Sequence, residues 1–321
     1  MINITFDKRL ELIYGLQYAI KKKYNLPLYW IEETNREYDE KFLEIYDKGI
    51  TKEFEEYMLN NGLDSYERCV EIALSLDENY NIISNSKIDS IKNYNKNFNE
   101  RLLSKYLKEF VLRSNYEDFF KSNQITYNEL IMKFNTALNT YIEFDKKIIT
   151  DFFDCTLENI EIKLLNFSGG SCGIIDNNND VVYVEGIRSI SDTEFVFNNR
   201  IILTLIHECS HPYVNPLSFK YFKDINLDNL LNNAIDNGLE ECYHNKLYLI
   251  NETMVRAISI YLVIKYMEDD YVERYITRQE NVGYIYIKPL IKLFDKKNQY
   301  STFEEFYKNE FVPFIIKMNS K

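Results

Sequence analysis

Apolar positions recur every three or four residues through much of the first 150 residues. Examples are Leu10, Ile13, Leu16 and Ile20, then Leu102, Leu103, Tyr106, Phe110 and Val111, then Leu130, Met132, Phe134 and Leu138. That spacing lays a stripe along one face of a helix, and with Pro27 as the lone proline it predicts a mostly helical N-terminal region over residues 1–150. Past Thr150 the pattern changes. Alternation across residues 159–167 predicts a strand, and residues 172–175 and 181–187 flank Asn177-Asn178-Asn179-Asp180, which predicts a hairpin. An apolar helical run follows over 200–216, then a helical excursion at 227–235, then a long apolar helix over 254–267 with Glu252 in its first turn. The expected fold is α+β, predominantly α-helical, with a small sheet ahead of the helix at 200–216 and a second region spanning 151–321.

The run at 200–216 ends in His207-Glu208-Cys209-Ser210-His211. Four residues of helix turn through about 400°, so the two imidazoles leave nearly the same face one turn apart and can reach one metal ion. This is the H-E-x-x-H arrangement of zinc metallopeptidases. Glu208 lies about 100° round from His207, too far to join the coordination shell easily but within reach of a water, which suits a general base. The bland alternative is a buried helix whose histidines hydrogen-bond within the core. It fits poorly, because the chain has only 3 His and two of them stand in this motif behind a run of apolar residues. Cys209 points away from the imidazoles and reads as a packed thiol. Pro212 predicts that the helix ends or kinks there, and Asn215-Pro216 reads as a turn.

Catalytic zinc keeps three protein ligands and one open position. His244, the pair Glu240-Glu241 and Glu252 are the downstream candidates. Glu252 is favoured, because Arg256 at i+4 could hold its carboxylate in one rotamer, whereas a first-turn Glu also satisfies the helix dipole without any metal. HECSHPYVNP followed by NETMVRA resembles the gluzincin group of zinc metallopeptidases. More narrowly it resembles a sparsely characterised bacterial set with a His-Glu-x-x-His-x-x-Val-Asn-Pro core. The resemblance covers about residues 166–257 and implies His207, His211 and Glu252 as ligands of one zinc ion, with Glu208 as base. It also suggests that Asn215 fixes a ligand imidazole. Two departures stand out: the interval from His211 to Glu252 exceeds that of thermolysin-like enzymes, and no Gly-x-Met-Glu-Asn aminopeptidase motif precedes the helix.

The expected activity is peptide-bond hydrolysis on a peptide or protein substrate, with Tyr284 and Tyr286 as candidate donors to the oxyanion and the Gly169-Gly170 region as a place where an extended substrate could approach a strand edge. The rivals are a non-catalytic zinc protein of structural or regulatory role on the same fold, and an amidase acting on something other than a peptide. Structural zinc sites usually close with four Cys-rich ligands, which favours catalysis here. A net charge of −12 argues against nucleic-acid and anionic-membrane partners. No stretch reads as a secretory signal or a membrane span, and the five cysteines form no C-x-x-C pair, so a reducing cytoplasmic setting is expected. The charge runs Lys21-Lys22-Lys23 and Glu53 to Glu56 read as solvated faces. Oligomeric state is not legible.

Overall fold

A computed structural model describes residues 2–26, 37–61, 66–83, 85–141, 145–167, 170–175, 180–187, 200–266 and 272–320. The chain opens with β1 (Ile2–Phe6), followed by helices α1 (Lys8–Lys23), α2 (Glu37–Gly49), α3 (Lys52–Asn60), α4 (Tyr66–Leu74), α5 (Ser86–Tyr94), α6 (Glu100–Ser114), α7 (Tyr116–Ser122), α8 (Gln124–Tyr141) and α9 (Lys147–Phe153). Strands β2 (Ile160–Leu165), β3 (Ser171–Ile175) and β4 (Val181–Gly186) come next. The elements that follow among the described residues are helical: α10 (Arg200–Phe222), α11 (Asp228–Asp236), α12 (Lys246–Tyr266), α13 (Val272–Glu280), α14 (Ile287–Leu293), α15 (Phe303–Phe306) and α16 (Val312–Asn319). The fold is therefore α+β and predominantly α-helical.

Side-chain caps start several of these helices where the sequence supplies Asp, Thr or Asn. Asp7 accepts from Arg9 N at 2.9 Å, Thr51 from Phe54 N at 3.2 Å, and Asn99 from Leu102 N at 3.0 Å. Asn115 and Asp154 adopt left-handed backbone at the ends of α6 and α9, a conformation these two residue types tolerate better than most.

The sheet runs β1-β2-β4-β3, with β1, β2 and β4 parallel and β3 antiparallel to β4. The hairpin and the strand at 159–167 appear where the alternation placed them, although 176–179, the hairpin turn, lie outside the described residues. β1 is a difference from expectation. Its five residues pair in parallel with β2, Ile2 opposite Ile160 and Phe6 opposite Leu164, so the helical N-terminal region contributes a strand to the sheet of the second region. Each face of the sheet carries a separate core. Ile160, Ile162, Leu164, Val181 and Tyr183 pack with α8, α9, α10 and the later helices, while Leu165, Cys172, Val182 and Val184 pack with α1 to α7.

Two charges expected to be solvated are buried instead. Lys21 is interior, and so is Glu55, whose carboxylate collects Lys23 Nζ at 2.7 Å, the Tyr24 hydroxyl at 2.8 Å and the Tyr46 hydroxyl at 2.5 Å. The charge runs thus have one inward position each, set by the helical period and not by composition.

α12 is long and apolar enough to cross a membrane by length and composition. In this fold its Ile250, Met254, Val255, Ala257 and Ile258 are fully buried against neighbouring elements, with α10 its main partner.

Candidate metal centre

α10 does not end at its prolines. It continues through Pro212 and Pro216 to Phe222, so neither the break at Pro212 nor the turn at Asn215-Pro216 forms. Packing overrides the local rule: Cys209, Val214 and Phe222 are fully buried on both sides of the prolines and bind the helix into the core. Continuity creates two stripes. His207, His211 and Asn215 line one, and Glu208, Pro212 and Pro216 line the next.

Pro212 has no amide hydrogen to offer the carbonyl of Glu208 four residues before it. Gly173 of β3 lies directly against that carbonyl: a Cβ built on it would sit 1.9 Å from the Glu208 oxygen. Only glycine allows this approach. β3, the last strand in the sheet order, is thereby laid along the motif helix at the candidate base.

α12 also differs from expectation, starting at Lys246 behind Asn245, whose side chain accepts from Leu247 N at 2.9 Å. Glu252 is therefore past the first turn, where the helix dipole has little hold on it. α10 and α12 pack together, and the pairing brings His207, His211 and Glu252 to one point. The two Nε2 atoms are 3.2 Å apart, Glu252 Oε1 is 3.4 Å from His211 Nε2, and Glu252 Oε2 is 3.6 Å from His207 Nε2. Donors about 2.05 Å from a tetrahedral zinc ion are separated by about 3.3 Å, so the triangle has the size that such an ion requires. The Glu208 carboxylate joins the two imidazoles in a set whose donor atoms lie within 4.8 Å of one another. The three side chains of the triangle keep 12–16 % of their exposure.

The surroundings orient these donors. Asn215 Oδ1 lies 3.1 Å from His211 Nδ1; a carbonyl oxygen can only accept, so Nδ1 carries the hydrogen and Nε2 is the nitrogen turned toward the triangle. Arg256 NH2 stands 2.7 Å from Glu252 Oε2 as an ion pair, without the angle of a hydrogen bond. Burial would raise the Glu252 carboxyl, but Arg256 and the two imidazoles outweigh it and hold the group ionised, well below its ordinary range. Burial pushes His207 down to about 3. It acts downward on His211 too, yet the adjacent Glu252 carboxylate and the bond to Asn215 prevail and raise that ring to about 9. Two imidazole nitrogens facing each other across 3.2 Å need a cation or a shared proton between them.

The other candidates are dispersed. His244 is exposed, and its Nε2 lies 2.9 Å from the Leu239 carbonyl, remote in role from the triangle. Tyr284 is buried beneath Arg256, whose guanidinium carbon is 4.4 Å from the ring centre; its hydroxyl lies near the guanidinium without the geometry of a hydrogen bond. The Tyr286 hydroxyl accepts from Asn233 of α11 at 3.1 Å and takes no part in the site. Gly170 uses its carbonyl to accept from Gly186 N at 2.8 Å, on the β4 side, and Gly169 lies outside the described residues. Two contributors escaped the sequence reading. Gly173 differed in no visible way from any strand glycine, and Gln279, which takes Arg256 NH1 at 2.7 Å, is a single polar residue in a helix without a motif.

Neither a curated protein nor a solved structure matches this chain. A family model described as a domain of unknown function (DUF4932) matches residues 57–317, and the chain belongs to that family.

Proposed function

We propose that this protein is a zinc-dependent peptidase of gluzincin type, with a zincin-like arrangement of small sheet and motif helix, acting on peptide or protein substrates. The observation that carries this reading is the triangle of two imidazoles and one carboxylate, sized for a tetrahedral ion, with a further carboxylate beside it that the ion does not need. His207, His211 and Glu252 would hold the zinc ion, which would supply Lewis acidity for the attack of water on the scissile carbonyl. Glu208 takes the proton from the attacking water and passes it to the leaving amine. Asn215 and Arg256 hold His211 and Glu252 in their ligating orientations. β3, at the end of the sheet order and backed onto Glu208, offers a strand along which an extended backbone can align. None of Cys69, Cys155, Cys172, Cys209 and Cys242 forms a disulfide, which agrees with a reducing cytoplasmic setting.

The test joins composition to kinetics. Protein purified without added metal should contain one zinc per chain by elemental analysis and should cleave members of a mixed peptide library. Glu208→Gln should retain the zinc and lose ~10²–10⁴ in kcat. A metal-free wild type that gains no activity with zinc, or a Glu208→Gln enzyme of unchanged turnover, overturns the proposal.

A further inference from the structure

We infer that the turn from Gln279 to Tyr284 is a positioning clip: it grips the Arg256 guanidinium on one edge and one face, and through it fixes the carboxylate of Glu252. This rests on the zinc reading above, and it concerns residues that no motif touches.

Gln279 is 3 % exposed near the end of α13, a poor place for an amide unless a partner compensates its lost hydration. Its side-chain oxygen accepts from Arg256 NH1 at 2.7 Å, while Arg256 NH2 faces Glu252 Oε2 at the same distance. The guanidinium plane is covered by the Tyr284 ring at 4.4 Å, a favourable placement for a cation over an aromatic face. One planar group is thus fixed by its two terminal nitrogens and one face, and Nε has no hydrogen-bond partner of its own.

The backbone explains why both contacts come from one short segment. Tyr284 N returns to the Gln279 carbonyl at 3.0 Å, and Val282 N reaches the same oxygen at 3.2 Å, so amide and ring are set by a single closed turn. Gly283 makes the closure possible. Its φ of +90° disfavours any side chain, and an added Cβ would sit 2.7 Å from both the Ala234 carbonyl oxygen and Leu239 N. The clip is in this way seated on the segment joining α11 to the turn at Glu241–Tyr243, so Arg256 has a rigid abutment on the side away from the ligands.

The experiment titrates the full chain with Zn²⁺ against a chromophoric chelator, and separately measures rotation of the Arg256 guanidinium by ¹⁵N NMR in metal-free protein. Gln279→Leu removes the acceptor at similar volume and should weaken zinc about 10–100-fold while freeing the guanidinium. Gln279→Glu keeps an acceptor and should restore restraint and near-native affinity, which a purely structural role for position 279 would not predict. Tyr284→Leu strips the covered face and should resemble Gln279→Leu, giving a second route should the first variant fold poorly. Native zinc affinity in Gln279→Leu overturns the inference, whether the guanidinium is freed or held. Should the wild type bind no zinc, the peptidase reading falls and the guanidinium measurement alone decides the clip: released in Gln279→Leu supports it, still restrained overturns it.

Discussion

The α-carbon of Gly173 and the backbone carbonyl of Glu208 are in direct contact, at a carbonyl to which Pro212, four residues on, has no amide to offer. A strand glycine and a helix proline, distant in sequence, thus make one joint between the sheet and the candidate base.

Substitution at the joint should be felt at both ends. In Gly173→Ala the added carbon meets backbone at 1.9 Å, so β3 or α10 must shift, and overpacking of this kind costs about 1–3 kcal/mol. Denaturant unfolding should show that loss, and peptidase turnover should fall with it, because the shift alters how β3 meets the helix turn that carries Glu208. Wild-type stability together with wild-type turnover would show the contact to be dispensable.

The ligand set separates cleanly by titration. Glu252→Ala leaves two imidazoles and should weaken zinc by more than any variant of the clip, whereas His244→Ala removes an exposed ring bonded only to the Leu239 carbonyl and should bind zinc as the wild type does. Were His244→Ala to lose the metal and Glu252→Ala to keep it, the triangle would not be the site.

Acid should loosen the N-terminal helices through Glu55. Burial acts to raise this carboxyl, but donation from Lys23, Tyr46 and Tyr24 prevails and lowers it below its ordinary 4.5. A group whose folded pKa is depressed adds stability that is complete above the unfolded value and vanishes as pH falls through the folded one. The contribution should therefore be full at neutral pH and disappear below about pH 4.5. Glu55→Gln should cost on the order of 1 kcal/mol at pH 7, discounted because the Lys23 end is about half exposed, and should flatten the stability profile below 4.5. Thermal melts of both proteins from pH 7 to 3 check this; parallel profiles would rule it out.

How far the sequence could be read follows from the range of the interactions involved. His207, Glu208 and His211 are legible because a helix period fixes their geometry within five residues. Glu252 is marked only by a distant apolar helix and its i+4 arginine, and it lies past the first turn because Asn245, a cap without an apolar neighbour, opens α12 earlier. Pro212 misled because the rule that proline ends helices is local, and buried neighbours such as Cys209 and Val214 outweigh it. β1 was hidden by its brevity and its outer place in the sheet, where INITF is only partly buried and resembles the start of the helix that follows. Gln279 carries no signal at all in one dimension, since its partner lies on another helix and is reached only after the turn at Gly283 closes.

The pairing of β1 with β2 sets a timetable for the nascent chain. Residues 2–6 find their partners at 160–164, so at ordinary elongation rates of about 5–20 residues per second the first strand waits on the order of ten seconds for its neighbour to be made. Helices α1 to α7 emerge in that interval, but Leu165, Cys172, Val182 and Val184, the floor of their core, do not. The first half of the protein therefore leaves the ribosome with an unpaired strand and an open apolar face, and its folding is completed by the same hairpin that carries Gly173 to Glu208.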